Sequence, residues 1–246
     1  MNASLLDLLK LQSFELSTDN VSELGERTIV VKKFNWDYGV AHKFQRHCLE
    51  VLDQNPQLRI IICTSHPRCF TNGRGLQKPR KGEVLELVEF DPALATTLPY
   101  PFYQIERGGG LTFHHPGQLI IYPIVRLNPK TLSLSVMINS LFDFAIDVLK
   151  SWDLNHLTHE NKLLGLWHEN KKLASMGIAI EKLTTFHGMA LNFYRDDEMK
   201  QALNRVNPCG LNAETYTSVE ELMDLKGRRL EEFADLYLGR LKDAWK

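Results

Sequence analysis

Lys171-Lys172-Leu173-Ala174-Ser175-Met176-Gly177-Ile178-Ala179-Ile180 alternates like a strand, with one odd member. Successive strand side chains point to opposite faces. Lys172 then falls in line with Ala174, Met176 and Ile178, while Leu173, Ser175, Gly177 and Ala179 share the other face. A lysine in an apolar row either buries its ammonium or snorkels to water from the strand end. When buried it has a lowered pKa and serves as a base or charge partner at neutral pH.

Beyond Glu181-Lys182-Leu183 a second strand, Thr185 to Phe193, can pair with the first as a hairpin. Upstream, Thr28-Ile29-Val30-Val31 and the apolar run from Leu58 to Thr64 read as core strands. Tyr103 to Glu106 and Leu119 to Ile124 read as two more. A helix from about Trp36 to Asp53 carries the stripe Val40, Phe44, Cys48 and Val51. A second runs from an N-cap at Ser133 to about Lys150, striped by Met137, Leu141, Ala145 and Val148. Ser218-Val219-Glu220-Glu221 is a capping box, and Leu230, Phe233, Tyr237 and Leu241 stripe the last helix. The order lacks a regular βα alternation. It predicts an α+β domain over 27–246, one central mixed sheet flanked by helices, with a peripheral segment at 1–26.

The 246 residues carry a formal net charge of −1, so no global basic field points to nucleic acid. At 43 % hydrophobic and 24 % charged, the chain is expected to be an ordinary soluble domain. No uncharged stretch is long enough to span a bilayer, and the start lacks signal-peptide character. The cysteines Cys48, Cys63, Cys69 and Cys209 show no metal-type spacing, and are expected to be reduced thiols in the cytoplasm.

Chemistry-bearing residues gather in three places. Arg107-Gly108-Gly109-Gly110-Leu111-Thr112-Phe113-His114-His115-Pro116-Gly117 combines exposed backbone donors with a cation and imidazoles. It is either a ligand loop or a flexible strand corner, and matches no phosphate-binding loop. His114 either meets a substrate or fills a hydrogen-bonded core slot; beside His115, with no third ligand, it supports no zinc site, and no metal or cofactor is expected. In the hairpin, Gly177 with Ala179 and Gly188 with Ala190 leave room for an acyl chain or for tight packing. Cys209 lies in a Pro-Cys-Gly turn, where a thiolate near a cation is a strong nucleophile. Cys69, in the Gly- and Pro-containing stretch 66–75 read as a loop, is its rival.

Four motifs in order resemble the lipoyl(octanoyl) transferases: 107–119, Lys172 to Gly177, Phe186 to Asn192, and Pro208-Cys209-Gly210. The resemblance covers about residues 27–225 and implies the fold of the lipoate and biotin protein ligases. It implies transfer of octanoyl from octanoyl-acyl carrier protein to a lysine of lipoyl domains, those of 2-oxoacid dehydrogenases and the glycine cleavage H protein. By position it makes Cys209 the acyl-accepting cysteine and Lys172 the lysine that lowers its pKa. It makes Arg107, Gly108, Gly109, Gly110, Leu111, Thr112, Phe113, His114, Ser175, Met176, Gly177, Gly188, Met189 and Ala190 substrate contacts. Gly110, Phe113 and His115 depart from the family pattern, where glutamine, tyrosine or tryptophan, and glycine are common. A positive φ at His115 would be costly. Two alternatives stand beside this reading. An ATP-dependent lipoate or biotin ligase needs no nucleophilic cysteine, and a non-catalytic acyl- or lipoyl-domain-binding protein needs neither Cys209 nor Lys172.

Overall fold

The computed structural model describes residues 3–75, 92–160, 164–206, 213–242 and 244–245. Cys209 and the Pro-Cys-Gly turn lie outside the described residues. Among the described residues eleven strands form two sheets. The larger contains, in chain order, β1 (Val21–Glu23), β2 (Thr28–Lys33), β3 (Arg59–Thr64), β7 (Gln118–Ile124), β8 (Leu157–Glu160), β9 (Gly165–His168), β10 (Lys171–Glu181) and β11 (Thr184–Asn192). Their spatial order is β1-β2-β3-β7-β11-β10-β9-β8. Within this sheet, among the described residues, only β2 and β3 pair in parallel, so the sheet is mixed.

A second sheet, absent from the single-sheet expectation, holds β4 (Cys69–Gly75), β5 (Phe102–Gln104) and β6 (Gly109–His114) in the order β5-β4-β6. Two stretches read as loops are therefore strands. Glycine is depleted in strands, yet here it builds them. Gly75 and Gly109 face each other in the ladder with φ of +88° and +82°, and the register shifts between Asn72 and Gly75. A side chain at Gly73 would collide with the Gly109 carbonyl. Glycine is spent here on a bulge that brings two backbones together.

Besides the short helices α1 (Ala3–Leu9) and α5 (Val219–Leu222), three helices form where their stripes predicted. Asp37 caps α2 (Tyr38–Gln54) through Val40 N–H at 2.9 Å, and Ser133 caps α3 (Leu134–Ser151) through Val136 N–H at 3.3 Å. One face of the large sheet packs α3 and α6 (Leu230–Leu241), with Met137, Leu141, Phe233 and Tyr237 buried. The other packs α2 through Phe44 and Cys48. The segment before residue 27 adds the edge strand β1 and buries Leu9, Leu11 and Leu16 beside α2. The small sheet packs Phe70, Leu111 and Phe113 on α4 (Asp197–Val206) through Met199, Ala202 and Leu203. Among the described residues no helix is long and apolar enough to cross a membrane.

Candidate active site

The β10–β11 hairpin, β6 and α2 enclose one cavity of about 350 Å³, counting its open mouth. Strand alternation on β6 decides which residues reach it. Thr112 and His114 face the cavity, whereas Leu111 and Phe113 face the aromatic cluster under α4. Phe113 lies 5.1 Å from Phe70 and 5.5 Å from Tyr100, ring to ring, and this apolar setting suits phenylalanine without a hydroxyl. The hairpin contributes Ser175, Met176, Gly177, Gly188, Met189 and Ala190. Arg107 completes the predicted set, while Gly108, Gly109 and Gly110 are absent from the wall. Tyr38, Tyr122 and His187 line the cavity as well, although sequence had not nominated them as substrate contacts.

Arg107 is 7 % exposed, and its guanidinium braces the glycine turn. Nη1 donates to the carbonyls of Gly108 and Gly110 at 3.1 and 2.9 Å; Nη2 donates to Thr71 O and Oγ1 at 2.9 and 2.8 Å. A buried guanidinium must spend its donors this way, because leaving them unmet is costly. The glycines thus shape the cradle around Arg107 rather than open a flexible loop.

A polar floor lies beneath. Gln118 Oε1 accepts from His114 Nδ1 at 3.1 Å, which assigns the proton to that nitrogen and leaves Nε2 to accept from Thr71 Oγ1 at 3.2 Å. Gln118 Nε2 donates to Asn192 Oδ1 at 2.9 Å, and Asn192 Nδ2 donates to Thr217 O at 3.0 Å. Thr217 N–H then donates to Lys172 O at 3.1 Å. Side chains from three motifs are thereby tied into one network ending at the strand that carries Lys172. His66 donates from Nδ1 to Trp36 O at 2.7 Å, and its Nε2 accepts from the Tyr122 hydroxyl at 2.9 Å. Burial pushes His66 down to about 4 and holds His114 well below the usual imidazole range. Both are neutral at pH 7.

Lys172 is 8 % exposed, with Nζ 5.4 Å from the Trp167 ring centre; Lys171 is exposed and donates to Glu214 O. Lys172 is not on the cavity wall. Its predicted row needs correction. The β9–β10 register shifts between Lys172 and Ala174, so Leu173 and Ala174 both enter the α3–α6 core. A bulge breaks period-two alternation, and face assignments made across it do not hold.

Two further corrections concern cost and reactivity. His115 has no positive φ, so the departure from glycine carries no backbone strain; its Nδ1 accepts from Gly117 N–H at 3.2 Å. Cys69 is 3 % exposed in β4, and burial pushes its thiol up to about 12. It is an inert packing residue rather than a rival nucleophile.

The model of the lipoyl protein ligase A/B catalytic domain matches residues 37–242. The chain belongs to that family. Among relatives of this lipoyl ligase A/B domain is a chloroplastic octanoyltransferase of Arabidopsis thaliana, 30 % identical over 88 % of this chain and 71 % of that one. An octanoyltransferase of Nostoc sp. is 33 % identical over 84 % of this chain and 90 % of its own. A crystal structure of lipoate-protein ligase A bound with ATP superposes with a TM-score of 0.62 at 13 % identity, covering 88 % of this chain and 84 % of that one. The Thermoplasma acidophilum protein Ta0514, a putative lipoate protein ligase, gives 0.60 at 15 % identity, over 89 % and 85 %. At such identity the structural likenesses carry the fold alone. They agree with a central mixed sheet flanked by helices.

Proposed function

We propose that this octanoyltransferase of lipoate biosynthesis works in two steps through a thioester on Cys209. The Cys209 thiolate attacks the thioester carbonyl of octanoyl-acyl carrier protein, and the carrier thiolate leaves and takes a proton. The ε-amine of a lipoyl-domain lysine then attacks the acyl-enzyme. An amide forms, the amine loses a proton, and the Cys209 thiol is restored. Lys172 stabilises the Cys209 thiolate as an ammonium and serves as a base when neutral.

The observation that carries this reading is the convergence of Arg107, Thr112, His114 and both hairpin triplets on one cavity. Lys172 supports its own role by burial and by pairing with Tyr216, seven residues along the chain from Cys209. Cys48, Cys63 and Cys69 are unpaired and buried, which suits a reducing cytoplasm. The acceptors would be lipoyl domains of 2-oxoacid dehydrogenases and the glycine cleavage H protein.

Intact-mass spectrometry after incubation with octanoyl-acyl carrier protein, without ATP, tests the reading. One octanoyl increment should form, survive in Cys69→Ser, and be absent in Cys209→Ser. A strict requirement for ATP would replace this reading with the ligase alternative. An adduct that persists in Cys209→Ser would assign the nucleophile elsewhere.

A further inference from the structure

Three side chains to which the acyl-transfer steps above assign no role converge at the cavity, whose wall includes one of them, His187. His42 comes from α2, Glu106 from the turn before β6, and His187 from β11. His42 Nε2 lies 3.0 Å and His187 Nε2 3.7 Å from the same atom, Glu106 Oε2. The ligand atoms all lie within 4.8 Å of one another. Ligands about 2.1 Å from a tetrahedral zinc stand roughly 3.4 Å apart, so small side-chain rotations would close the shell.

His187 distinguishes a ligand set from a hydrogen-bonded triad. It is 1 % exposed, and at 3.7 Å its approach to Glu106 is too long for a hydrogen bond. Neither ring nitrogen has a hydrogen-bond partner among the described residues, and Nε2 has only the long approach to Glu106. A buried polar atom that nothing meets is destabilising, so such a site favours a ligand that meets it. The ring is held in place from behind. Pro123 offers β11 no N–H, the ordered β7–β11 pairing stops at Met189 and Ile121, and His187 takes φ +58°. Its N–H donates instead to Gln45 Oε1 at 2.8 Å.

The Glu106 carboxylate supplies the negative charge of the set. Arg46 lies 4.0 Å from its other oxygen, but Arg46 Nη1 is closer to Glu181, at 2.7 Å.

We propose that His42, Glu106 and His187 form a binding site for a divalent cation of the zinc class at the wall of the cavity. Two imidazoles and one carboxylate favour such a metal over magnesium or calcium, which take oxygen ligands. The half-exposed His42 and Glu106 give it a path from solvent. The site goes beyond acyl transfer and does not depend on it.

Cobalt(II) titration of the metal-free full chain, read by visible absorption, tests the site. One Co²⁺ per chain should bind with nitrogen–oxygen ligation, yield to Zn²⁺ and resist Mg²⁺. His42→Ala and Glu106→Gln each remove or neutralise a direct ligand and should weaken binding by at least about 10–100-fold, the cost of losing even an outer-shell partner. His159→Ala should leave it unchanged, being paired with Asp143 elsewhere. Circular dichroism identifies folded variants, and His42→Gln replaces His42→Ala if the latter misfolds. Absence of binding, affinity unchanged in folded His42 variants, or a thiolate-to-cobalt charge-transfer band would each overturn the proposal.

Discussion

The stem of Arg107 crosses Gly177 so closely that a Cβ at position 177 would stand 2.7 Å from Arg107 Cδ and 2.9 Å from Gly108 O. Glycine here makes room for arginine as well as lining the cavity. Gly177→Ala should therefore push the arginine off its cradle and cost about 1–3 kcal/mol, as overpacking does. The check is a urea-unfolding double-mutant cycle with Arg107→Ala. Coupling of at least about 0.5 kcal/mol is expected. Strict additivity would mean that Gly177 is strained by its backbone neighbour alone.

Gly188 has a different constraint. A side chain there would run into Ile121 O and come within 2.9 Å of Pro123 Cδ, on the neighbouring strand. Gly188→Val should lower stability and reduce turnover of octanoyl and short acyl donors alike. Ala190, also on the cavity wall, is the better specificity probe. Ala190→Val should lower kcat/KM for octanoyl more than for butyryl, by about 10-fold, the scale on which a pocket discriminates methylenes. Equal losses in both variants would remove Ala190 from the acyl slot.

The contrast between the two glycines shows how far sequence reaches. Stripes of buried residues gave α2, α3 and α6, because each helix packs one face on a sheet and local periodicity records it. The β10–β11 hairpin was equally legible, from Ala174 opposite Leu191 to Glu181 opposite Thr184. What Gly73, Gly177 and Gly188 make room for was not legible, since the colliding atoms belong to distant segments. The bulge at Lys172 and the meeting of His42, Glu106 and His187 were hidden for the same reason. Among the missed cavity residues, Tyr122 gave a weak signal, a lone polar group in the apolar run 119–124.

His66 predicts how stability follows pH. Its folded pKa is about 4, below the ordinary 6.5, because it is buried. Between these values the unfolded chain binds the proton and the folded chain does not, so stability falls as pH drops from about 6.5 towards 4. Each such histidine contributes a slope of about 1.4 kcal/mol per pH unit inside that window. His114, His115 and His187 are shifted the same way and steepen it. Urea midpoints from pH 7 to 4.5 should decline, and His66→Gln should lower stability at pH 7 yet flatten the decline by about one proton. A parallel decline in the variant would show that His66 does not titrate in this window.

Lys172 and Lys171 stand side by side in sequence and in different settings. Lys172 is buried over Trp167, while Lys171 is exposed and bonded to Glu214 O. Lys172→Met keeps the stem against the indole and removes the charge, so the fold should persist. If Lys172 stabilises the Cys209 thiolate and later moves protons, its loss should slow acylation by about 10²–10⁴-fold. The pH profile of Cys209 alkylation by iodoacetamide should move upward, because a thiolate without its cation forms at higher pH. Lys171→Met should leave rate and profile unchanged, since an exposed lysine contact is worth little. Alkylation at Cys209 must be counted by peptide mapping, although Cys48, Cys63 and Cys69 are buried and should react slowly. A profile that shifts with Lys171→Met and stays fixed with Lys172→Met would assign the charge partner to the other lysine. Slow acylation with an unmoved profile would leave Lys172 the proton transfer alone.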